Sequence, residues 1–530
     1  MAEQTKVKTL EKVVIRFSGD SGDGMQLTGT IFSNLSAVFG NEISTFPDYP
    51  AEVRAPQGTL SGVSGFQVHL GSRKIFTPGD KADVLVAMNP AALKVNVKHL
   101  KPNAIVLIDT DSFKKSDLDK ALFTTDDPFT ELGLTGVQVV AAPISTMVKD
   151  GLVEFGLDNK SALRCKNMFA LGLVCWLFER PLEEAMQNKF AKKPVIAQAN
   201  IKALTDGYNY GNNIHASVST YRIESKKAEP GFYTDVNGNK ATSYGLIAAA
   251  EKAGLQLFLG SYPITPATDI LHELSKRKDL GVITVQAEDE IAGICTSIGA
   301  SFAGCLAATS TSGPGLALKS EAIGLAVIAE LPLVIIDVQR GGPSTGLPTK
   351  SEQTDLMQAL YGRNGESPAV VIAASTPTDC FDAAFWAGKL AVEHMTPVIL
   401  LTDAFIANGS SAWRIPEMDK YPEIKPNYVA NYQDEKVWKA YRRNKESLVR
   451  YWAIPGTEGF AHRLGGLEKD YETSAISTDP ANHQKMVTTR HRVFKRKLLR
   501  DIIGEAADDQ GSRVLLGDTA GHQIEDGVIA

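Results

Sequence analysis

The chain has few cysteines for its length, and their spacing excludes several kinds of site. It has 530 residues and only five cysteines, which are Cys165, Cys175, Cys295, Cys305 and Cys380. No two of them form a C-x-x-C pair, and no tight cysteine–histidine cluster occurs. A disulfide framework, a structural zinc site or a four-cysteine iron–sulfur cluster would need such spacings. We therefore expect no metal site built from this chain alone.

Long apolar runs and an excess of basic residues are also missing. The most apolar stretch, 324–338, is interrupted by Glu330 and Pro332, which does not suit a membrane span. The first residues, MAEQTKVKTLEK, lack the apolar core of a signal peptide. The formal charge is −6, whereas nucleic-acid-binding domains are normally basic. We expect a cytoplasmic protein that binds neither membranes nor nucleic acids.

Short apolar runs alternate with helical patterns in two parts of the chain. In the first part these runs are VVIRF, VLVAM, AIVLI and VQVVAAP, and in the second they include LVIIDV and PVILLTD. Buried strands separated by helices predict an α/β fold with two doubly wound, mainly parallel sheets. We place the domains at 1–205 and 241–410, with a Gly- and Asn-rich linker at 206–240. An irregular extension follows at 411–489, with a helical pattern at 434–452, and then an atypical tail at 490–530.

A glycine-rich loop follows the first predicted strand. The segment SGDSGDGMQ contains Gly19, Ser21, Gly22, Asp23 and Gly24, and a helical pattern comes next. Glycines at a strand-to-helix turn let the backbone approach a phosphate group. The loop lacks the lysine of a P-loop and carries two acidic residues, so a tight turn without a ligand is the alternative. Gly-Asp-Gly also resembles the start of a magnesium motif, but residues 49–54 supply no asparagine to complete it.

Four polar loops follow predicted strands of the second domain. Their sequences are YPITP (262–266), QAEDE (286–290), TSTSGPG (309–315) and RGGPSTG (340–346). Ligands in parallel α/β sheets bind at the carboxyl ends of the strands, so these loops should converge. Arg340 suits a carboxylate, because its planar guanidinium can bind both oxygens. Each loop alone also has a purely structural interpretation, such as a proline turn, a helix cap or a surface arginine.

Together and in this order, these loops resemble the 2-oxoacid:ferredoxin oxidoreductase family. The match is to its alpha subunit with an N-terminally fused gamma domain, in the 2-oxoglutarate type. SGDSGDGMQ, FPDYPAEVRAPQGT (46–59) and ADVLVAMNP (82–90) resemble the gamma domain, and the four loops resemble the domain that binds the pyrimidine of thiamine diphosphate. GTEGFAHRLGGLEKDYE (456–472) and DPANHQKM (479–486) also look like the family. The family's alpha chains usually continue into a further α/β domain, which the residues after about 490 do not resemble.

The resemblance implies thiamine diphosphate-dependent oxidative decarboxylation of 2-oxoglutarate with coenzyme A, giving succinyl-CoA and CO2 and reducing ferredoxin. The reverse direction is reductive carboxylation, as in a reductive tricarboxylic acid cycle. Glu288 matches the glutamate that hydrogen-bonds the aminopyrimidine, beside Tyr262, Pro263 and Ile264. Thr265 and Arg340 match residues that hold the 2-oxoacid.

The resemblance also implies weaker assignments and partners. Thr345 and Thr349 would select the substrate, and the loop at 19–24 with the segment after Tyr49 would bind coenzyme A. The family places Mg2+ and a [4Fe-4S] cluster on a separate beta subunit. This chain would therefore be half of an active site, in an α2β2 heterotetramer.

Two alternatives stay open, and a third is disfavoured. The substrate could be pyruvate or a branched-chain 2-oxoacid, since Arg340 and Thr265 would recognise groups that all 2-oxoacids share. The chain could instead be a non-catalytic assembly subunit. The basic run RHRVFKRKLLR at 490–500 would support nucleic-acid binding, although a solvated helix face is the commoner meaning of such a run.

Overall fold

The chain divides into two units that are each built around a sheet. The structure is a computed structural model, and it describes residues 6–50, 55–182, 194–214, 219–225, 229–429, 437–493 and 513–517. The first unit comprises Met1–Asp235 with Gly409–Ile415, and the second comprises Val236–Asn408 with Pro416–Ala530.

The secondary structure follows the α/β pattern expected from the sequence. The strands are β1 Lys6–Leu10, β2 Lys12–Asp20, β3 Glu42–Asp48, β4 Val63–Gly71, β5 Ala82–Ala87, β6 Leu100–Asp109, β7 Gln138–Ala142, β8 Ser219–Ile223, β9 Tyr233–Asn237, β10 Leu257–Ser261, β11 Ile283–Gln286, β12 Leu306–Thr311, β13 Leu333–Gln339, β14 Ala369–Ala373, β15 Pro397–Asp403, β16 Ser410–Arg414 and β17 Arg513–Gly517. The helices are α1 Met25–Val38, α2 Pro90–Asn96, α3 Lys115–Lys120, α4 Pro128–Glu131, α5 Ile144–Gly151, α6 Asn159–Leu163, α7 Lys166–Leu177, α8 Pro194–Asn213, α9 Gly238–Ala253, α10 Thr268–Ser275, α11 Glu290–Phe302, α12 Gly313–Leu318, α13 Ser320–Ala329, α14 Leu356–Tyr361, α15 Asp379–His394, α16 Ala404–Asn408 and α17 Pro480–Val493.

The sheet of the first unit is mixed. Its strand order is β7-β6-β5-β2-β4-β3-β16-β9. The neighbours from β7 to β2 are parallel, whereas β2, β4 and β3 pair antiparallel. Strands β3 and β4 were not predicted, because polar residues and Pro47 interrupt their apolar pattern. Residues of β2 are buried on both faces, which explains why the run VVIRF has no polar alternation.

The predicted linker at 206–240 is wrong over most of its length. Helix α8 continues through Asn213, β8 pairs with β1, and α9 already begins at Gly238. The glycines that suggested a linker serve helix packing instead. A side chain at Gly207 would collide with the backbone of Phe169 in α7, so only glycine allows α7 and α8 to lie this close. The first unit therefore extends beyond residue 205.

The second unit contains a sheet that is parallel except at one edge. Its order is β11-β10-β12-β13-β15-β14-β17, and only the β14–β17 pair is antiparallel among the described strands. Strands β12, β13 and β15 are buried throughout. Helices α11 and α13 cover part of one core, with residues such as Ile294, Ile323 and Ile335 at its centre. The expected α/β class is confirmed, and this sheet is mainly parallel as expected, whereas the first sheet also contains antiparallel pairs.

The extension after β15 differs in part from the prediction. Strand β16 pairs with β3, so the Gly409–Ile415 segment belongs to the first unit. The prediction of a helix at 434–452 is wrong for the described residues 437–452, which form turns, bends and isolated bridges. Asn444 explains this locally, because its side chain accepts hydrogen bonds from the amides of Glu446 and Ser447 and so favours a turn. Of the predicted tail, 490–493 end α17 and 513–517 form β17; the rest of 490–530, including most of the basic run, lies outside the described residues.

A buried ion cluster fixes this extension on the second unit. Glu330 accepts bonds from both terminal nitrogens of Arg443, at 2.6 and 2.5 Å, and from Nε of Arg490 at 3.2 Å. Its backbone carbonyl accepts a bond from Arg450. Burial alone would raise the pKa of Glu330, but the guanidinium groups, Arg443 foremost, lower it to about 2. The carboxylate is therefore ionised at neutral pH and joins three segments.

Candidate functional site

Four strands of the second sheet end side by side at its carboxyl-terminal edge. Because β11, β10, β12 and β13 are neighbouring parallel strands, their carboxyl ends share that edge. Ser261 lies in register with Gln286, and Thr311 with Asp337. The loops predicted to carry chemistry follow these positions, so the expected convergence is observed.

The turn after β10 combines a buried and an exposed part. Tyr262 is buried, and its hydroxyl lies 3.1 Å from Oγ1 of Thr311. Burial raises the pKa of Tyr262, and the neighbouring carboxylate of Glu290 adds to this, so the phenol stays protonated. Pro263 and Thr265 are exposed, and Ile264 is half-buried. The turn is therefore anchored by Tyr262 and exposes Thr265.

Arg340 reaches this turn from the end of β13. Its Nη1 donates a 2.7 Å hydrogen bond to the carbonyl oxygen of Thr265. The residue is only 6% exposed, and its Nε has no hydrogen-bond partner among the described residues. A buried guanidinium with an unused donor is suited to an anionic ligand. The structure therefore brings together Arg340 and Thr265, two of the predicted site residues.

The three acidic residues of QAEDE have different roles. Asp289 caps α11, because its side chain accepts a 2.7 Å bond from the amide of Ala292. Glu290 lies in the first turn of α11 and acts on Tyr262. Glu288 is exposed, and no described residue bonds its carboxylate. Of the three carboxylates, that of Glu288 thus neither caps a helix nor pairs with another residue in the described part of the chain.

The remaining predicted substrate residues lie on the loop between β13 and α14. Thr345 is exposed and Thr349 is half-buried. No hydrogen bond joins either side chain to Arg340 or Thr265 among the described contacts. The base of the loop is closed by backbone bonds of Gly341 with Leu347 and Lys350. Thr345 and Thr349 are therefore close to Arg340 in the sequence, but no described contact joins them to the site.

Lys319 is a residue near the site that sequence reasoning missed. Its side chain is fully buried, and Nζ donates to the carbonyl oxygen of Glu290 at 2.6 Å and to Thr309 at 3.3 Å. Nζ also lies 5.2 Å from the centre of the Tyr262 ring. Burial lowers the pKa of this ammonium to about 8, against the attraction of Glu290. A lysine within the apolar stretch GLALKSEAIGLAV was the available signal.

The glycine-rich loop lies in the first unit, between β2 and α1. Asp20 accepts bonds from the amide of Gly58, at 2.9 and 3.1 Å to its two oxygens. Asp23 accepts a bond from the amide of Asp20 and pairs with Lys166 at 3.0 Å. The two acidic residues thus have a structural role in folding the loop, and the charge of Asp23 is paired with Lys166. Burial, followed by the charge of Asp23, raises the pKa of Asp20.

Glycine is required at two positions of this loop. Gly22 and Gly24 have φ values of +109° and +77°, which disfavour other residues. Gly24 precedes α1, and a side chain there would collide with Asn167. Gly22 has open space around it, Gly19 lies near the end of β2, and Ser21 lies in the turn itself. Of the predicted segment after Tyr49, residues 51–54 lie outside the described residues.

Two kinds of feature are absent from the described part of the chain. No group of three or more His, Cys, Asp or Glu side chains lies close enough together there to hold a metal ion. Within the same residues, no helix has both the length and the apolar character needed to cross a bilayer.

Comparisons with known proteins support the reading of these loops. Residues 248–479 match the family described as pyruvate flavodoxin/ferredoxin oxidoreductase, thiamine diphosphate-binding, and residues 14–210 match the family pyruvate ferredoxin/flavodoxin oxidoreductase. The chain is 52% identical to 2-oxoglutarate oxidoreductase subunit KorA of Mycobacterium tuberculosis, over 96% of this chain and 77% of that protein. It is 25% identical to subunit alpha of 2-oxoacid:ferredoxin oxidoreductase 2 of Aeropyrum pernix, over 94% and 80% of the two chains.

A solved structure has the same fold. It is the 2-oxoglutarate:ferredoxin oxidoreductase from Magnetococcus marinus with 2-oxoglutarate, coenzyme A and succinyl-CoA bound. The TM-score is 0.78 and the identity 33%, over 92% of this chain and 79% of that chain. The resemblance inferred from the loops is therefore confirmed by sequence and by fold, and this chain belongs to the 2-oxoacid:ferredoxin oxidoreductase family.

Proposed function

We propose that this chain is the alpha subunit of a 2-oxoglutarate:ferredoxin oxidoreductase that depends on thiamine diphosphate. The reaction is oxidative decarboxylation of 2-oxoglutarate with coenzyme A to succinyl-CoA and CO2, with reduction of ferredoxin. The observation that carries the proposal is the shared strand edge of the second unit, where a buried Arg340 meets Thr265 and the exposed carboxylate of Glu288 has no partner among the described residues. The 52% identity to the mycobacterial 2-oxoglutarate oxidoreductase subunit favours this substrate.

We place the aminopyrimidine ring of thiamine diphosphate at this strand edge. Glu288 would hold a proton at a ring nitrogen, and Tyr262, Pro263 and Ile264 would line the ring. When bound, thiamine diphosphate supplies the carbon nucleophile and electron sink that decarboxylation of a 2-oxoacid needs. The chain's contribution is a carboxylate that can exchange a proton with the ring, placed in the short turn between β11 and α11. Tyr262 stays a neutral phenol in this arrangement, because burial raises its pKa.

Arg340 and Thr265 would bind the carboxyl and ketone of the 2-oxoacid. Arg340 keeps its Nε free of protein partners among the described residues, and its bond to the Thr265 carbonyl fixes the guanidinium plane. A fixed plane lowers the entropy lost when a carboxylate binds. Thr345 and Thr349 would approach the distal part of the substrate from the loop between β13 and α14, and so affect its selection.

Coenzyme A would bind at the loop of Gly19, Ser21, Gly22, Asp23 and Gly24 in the first unit. The loop ends at the first turn of a 14-residue helix, whose free amides attract phosphate groups. Ser21→Trp, which changes an exposed residue, should raise KM for coenzyme A and leave KM for the 2-oxoacid unchanged. Asp126→Trp, at an exposed position on another loop of the same unit, is the matched control. An unchanged KM for coenzyme A in Ser21→Trp would overturn this assignment.

A beta subunit would complete the site. It would carry Mg2+ and a [4Fe-4S] cluster and pass electrons to ferredoxin in an α2β2 complex in the cytoplasm. In support, large apolar side chains stand exposed on elements beside the strand edge. They are Ile291, Leu318, Leu347 and Met357, each more than half exposed. Exposed apolar residues near an incomplete site are typical of a subunit interface.

The proposal is tested by co-expressing the chain with its candidate beta subunit. Reduction of ferredoxin or a viologen dye is then measured with coenzyme A and 2-oxoglutarate, pyruvate or 2-oxoisovalerate. We expect the highest kcat/KM with 2-oxoglutarate. A preference for another 2-oxoacid would change the substrate assignment, and no activity from an assembled, cofactor-loaded complex would favour a non-catalytic assembly subunit.

A further inference from the structure

A pair of buried aspartates lies behind the loop that carries Thr345 and Thr349. Asp337 is in the middle of β13 and is fully buried, and Asp355 precedes α14 and is 8% exposed. The amide of Asp355 is bonded to the side chain of Gln339 on β13, and its carboxyl group lies close enough to that of Asp337 for each to alter the pKa of the other. Neither oxygen of Asp337 has a donor among the other described residues, and the same holds for Oδ2 of Asp355.

Two ionised carboxylates placed this close together would repel each other. A carboxylate has only acceptor atoms, so a hydrogen bond between two of them requires one proton. Burial without a nearby cation strongly disfavours a second negative charge. Burial raises the pKa of Asp337 well above its ordinary value, and the charge of Asp355 raises it further. Burial also raises the pKa of Asp355, as does the charge of Glu352.

The pair joins the two ends of the loop. Asp337 and Gln339 are two residues apart on β13 and therefore lie on the same face. Gln339 accepts a 2.9 Å bond from the amide of Asp355, so it holds Asp355 near the face of β13 that carries Asp337. Arg340 follows directly on the strand. Arg340 and Asp355 are the residues directly before and after the loop, which comprises 341–354.

Other charged groups near the pair are already engaged. Glu352 accepts a bond from the amide of Gly342, and Asp403 accepts one from Gln353 at 2.7 Å. Arg340 donates to the Thr265 carbonyl. Asp355 also packs on Gly313 of α12, where a side chain would lie 2.6 Å from its Oδ2. No described cation bonds either carboxyl group of the pair.

We propose that Asp337 and Asp355 share one proton and that this proton closes the base of the 341–354 loop, which makes both aspartates positioning residues for Arg340 and the loop threonines. The inference deepens the proposed function and rests on it where substrate binding is concerned. Loss of the proton to bulk water leaves two facing carboxylates, whose repulsion opens the base of the loop. Substrate binding should therefore weaken at alkaline pH.

The first test follows the loop itself and does not need activity. Hydrogen–deuterium exchange of peptides covering 341–355 is measured on the assembled complex from about pH 7 to about pH 10. Asp337→Asn can donate to Asp355 without a titrating proton, so at each pH it corrects for the intrinsic exchange rate. We expect the native loop to lose protection about tenfold relative to Asp337→Asn at the alkaline end. An identical pH dependence in the two proteins would overturn the proposal.

Two further variants separate positioning from general stability. Asp337→Ala has no donor and should leave the loop open at every pH, whereas Asp337→Asn should restore closure. Asp109→Asn is the matched control, because Asp109 is equally buried but is bonded by Ser112 and Ser145 in the first unit. It should not alter exchange in 341–355. An effect of Asp109→Asn as large as that of Asp337→Ala would show a global effect and contradict the proposal.

The kinetic test links the loop to the substrate. KM for the 2-oxoacid should rise at alkaline pH in the native complex and stay flat in Asp337→Asn. A native complex that turns over no 2-oxoacid would refute the proposed function, while the exchange experiment would still decide the protonation of the pair. Parallel KM profiles in both proteins, with a loop that does open, would refute the link between the pair and substrate binding.

Discussion

Arg340, which follows β13, donates a 2.7 Å hydrogen bond to the carbonyl oxygen of Thr265, which follows β10, and β12 lies between these two strands. The bond uses one of the five donors of the guanidinium and fixes its plane. Nε has no partner among the described residues, although Arg340 is only 6% exposed. The protein thus maintains a buried cation with a free donor at the strand edge, which is the feature that a carboxylate ligand would use.

Replacing Arg340 tests this arrangement. Arg340→Lys keeps the charge, but a single ammonium cannot hold the Thr265 carbonyl in the same plane and also bind both oxygens of a carboxylate. Loss of one charge-assisted hydrogen bond costs about 1.5–3 kcal/mol, which corresponds to a fall of roughly 10- to 150-fold in kcat/KM. Steady-state kinetics of the complex with 2-oxoglutarate measure this, and KM for coenzyme A serves as the internal control. A change of less than about twofold in kcat/KM would contradict a role in substrate binding.

Replacing Glu288 tests the proton-transfer role. Glu288→Gln removes the ionisable group with little change in shape, and we expect kcat to fall by about 10²- to 10⁴-fold. Because Glu288 is exposed and unpaired among the described residues, stability should change by no more than about 0.5 kcal/mol. Glu321→Gln, at an exposed position on α13, is the control and should leave kcat unaltered. Full activity in Glu288→Gln would instead favour a non-catalytic subunit.

The parts of the fold that could be predicted were those in which pattern and packing agree. Buried parallel strands such as β13 and β15 are continuous apolar runs, because both faces are covered. Strands β3 and β4 contain polar residues that bond across the sheet, such as Gln67 with the guanidinium of Arg16, so their pattern is not periodic. Helix α8 has glycines where it touches α7, and glycine in a sequence suggests a turn more readily than a helix contact.

The candidate site was predictable where side chains follow strand ends. Thr265 and Arg340 are far apart in sequence, but the parallel topology brings their loops together. Lys319, Asp337 and Asp355 were not predicted, since their importance comes from burial. The charge of Lys319 matters because its ammonium lies under α11 without access to solvent, and sequence pattern does not report the depth of a single residue.

Replacing Lys319 tests whether its ammonium group is buried in solution. Burial lowers its pKa to about 8 from an ordinary 10.5. Between these values the unfolded chain binds the proton and the folded chain does not, so this residue makes the protein more stable as the pH rises from about 8 to 10.5. The Tm of the native chain minus that of Lys319→Met should therefore increase over this range, as measured by thermal unfolding. Lys252→Met, at a lysine paired on the surface with Glu423, is the control and should show no such trend. A flat difference for Lys319→Met would show that the ammonium is not buried in solution.

Replacing Glu330 tests the ion cluster that attaches the extension. Glu330→Gln leaves the guanidinium groups of Arg443 and Arg490 buried without their carboxylate, and breaking such a pair costs about 3–5 kcal/mol. The arginines hold the pKa of Glu330 at about 2 in the folded chain, below its ordinary 4.5. The carboxylate therefore stabilises the fold above about pH 4.5, and this contribution is lost as the pH falls towards 2. Urea unfolding at pH 7 and at stepwise lower pH should show a large difference between the two proteins that shrinks below about pH 4.5. Because Glu472 pairs with Lys439 near the surface, Glu472→Gln should cost less than about 1 kcal/mol. Equal costs for the two variants would mean that the extension is not held by the buried cluster.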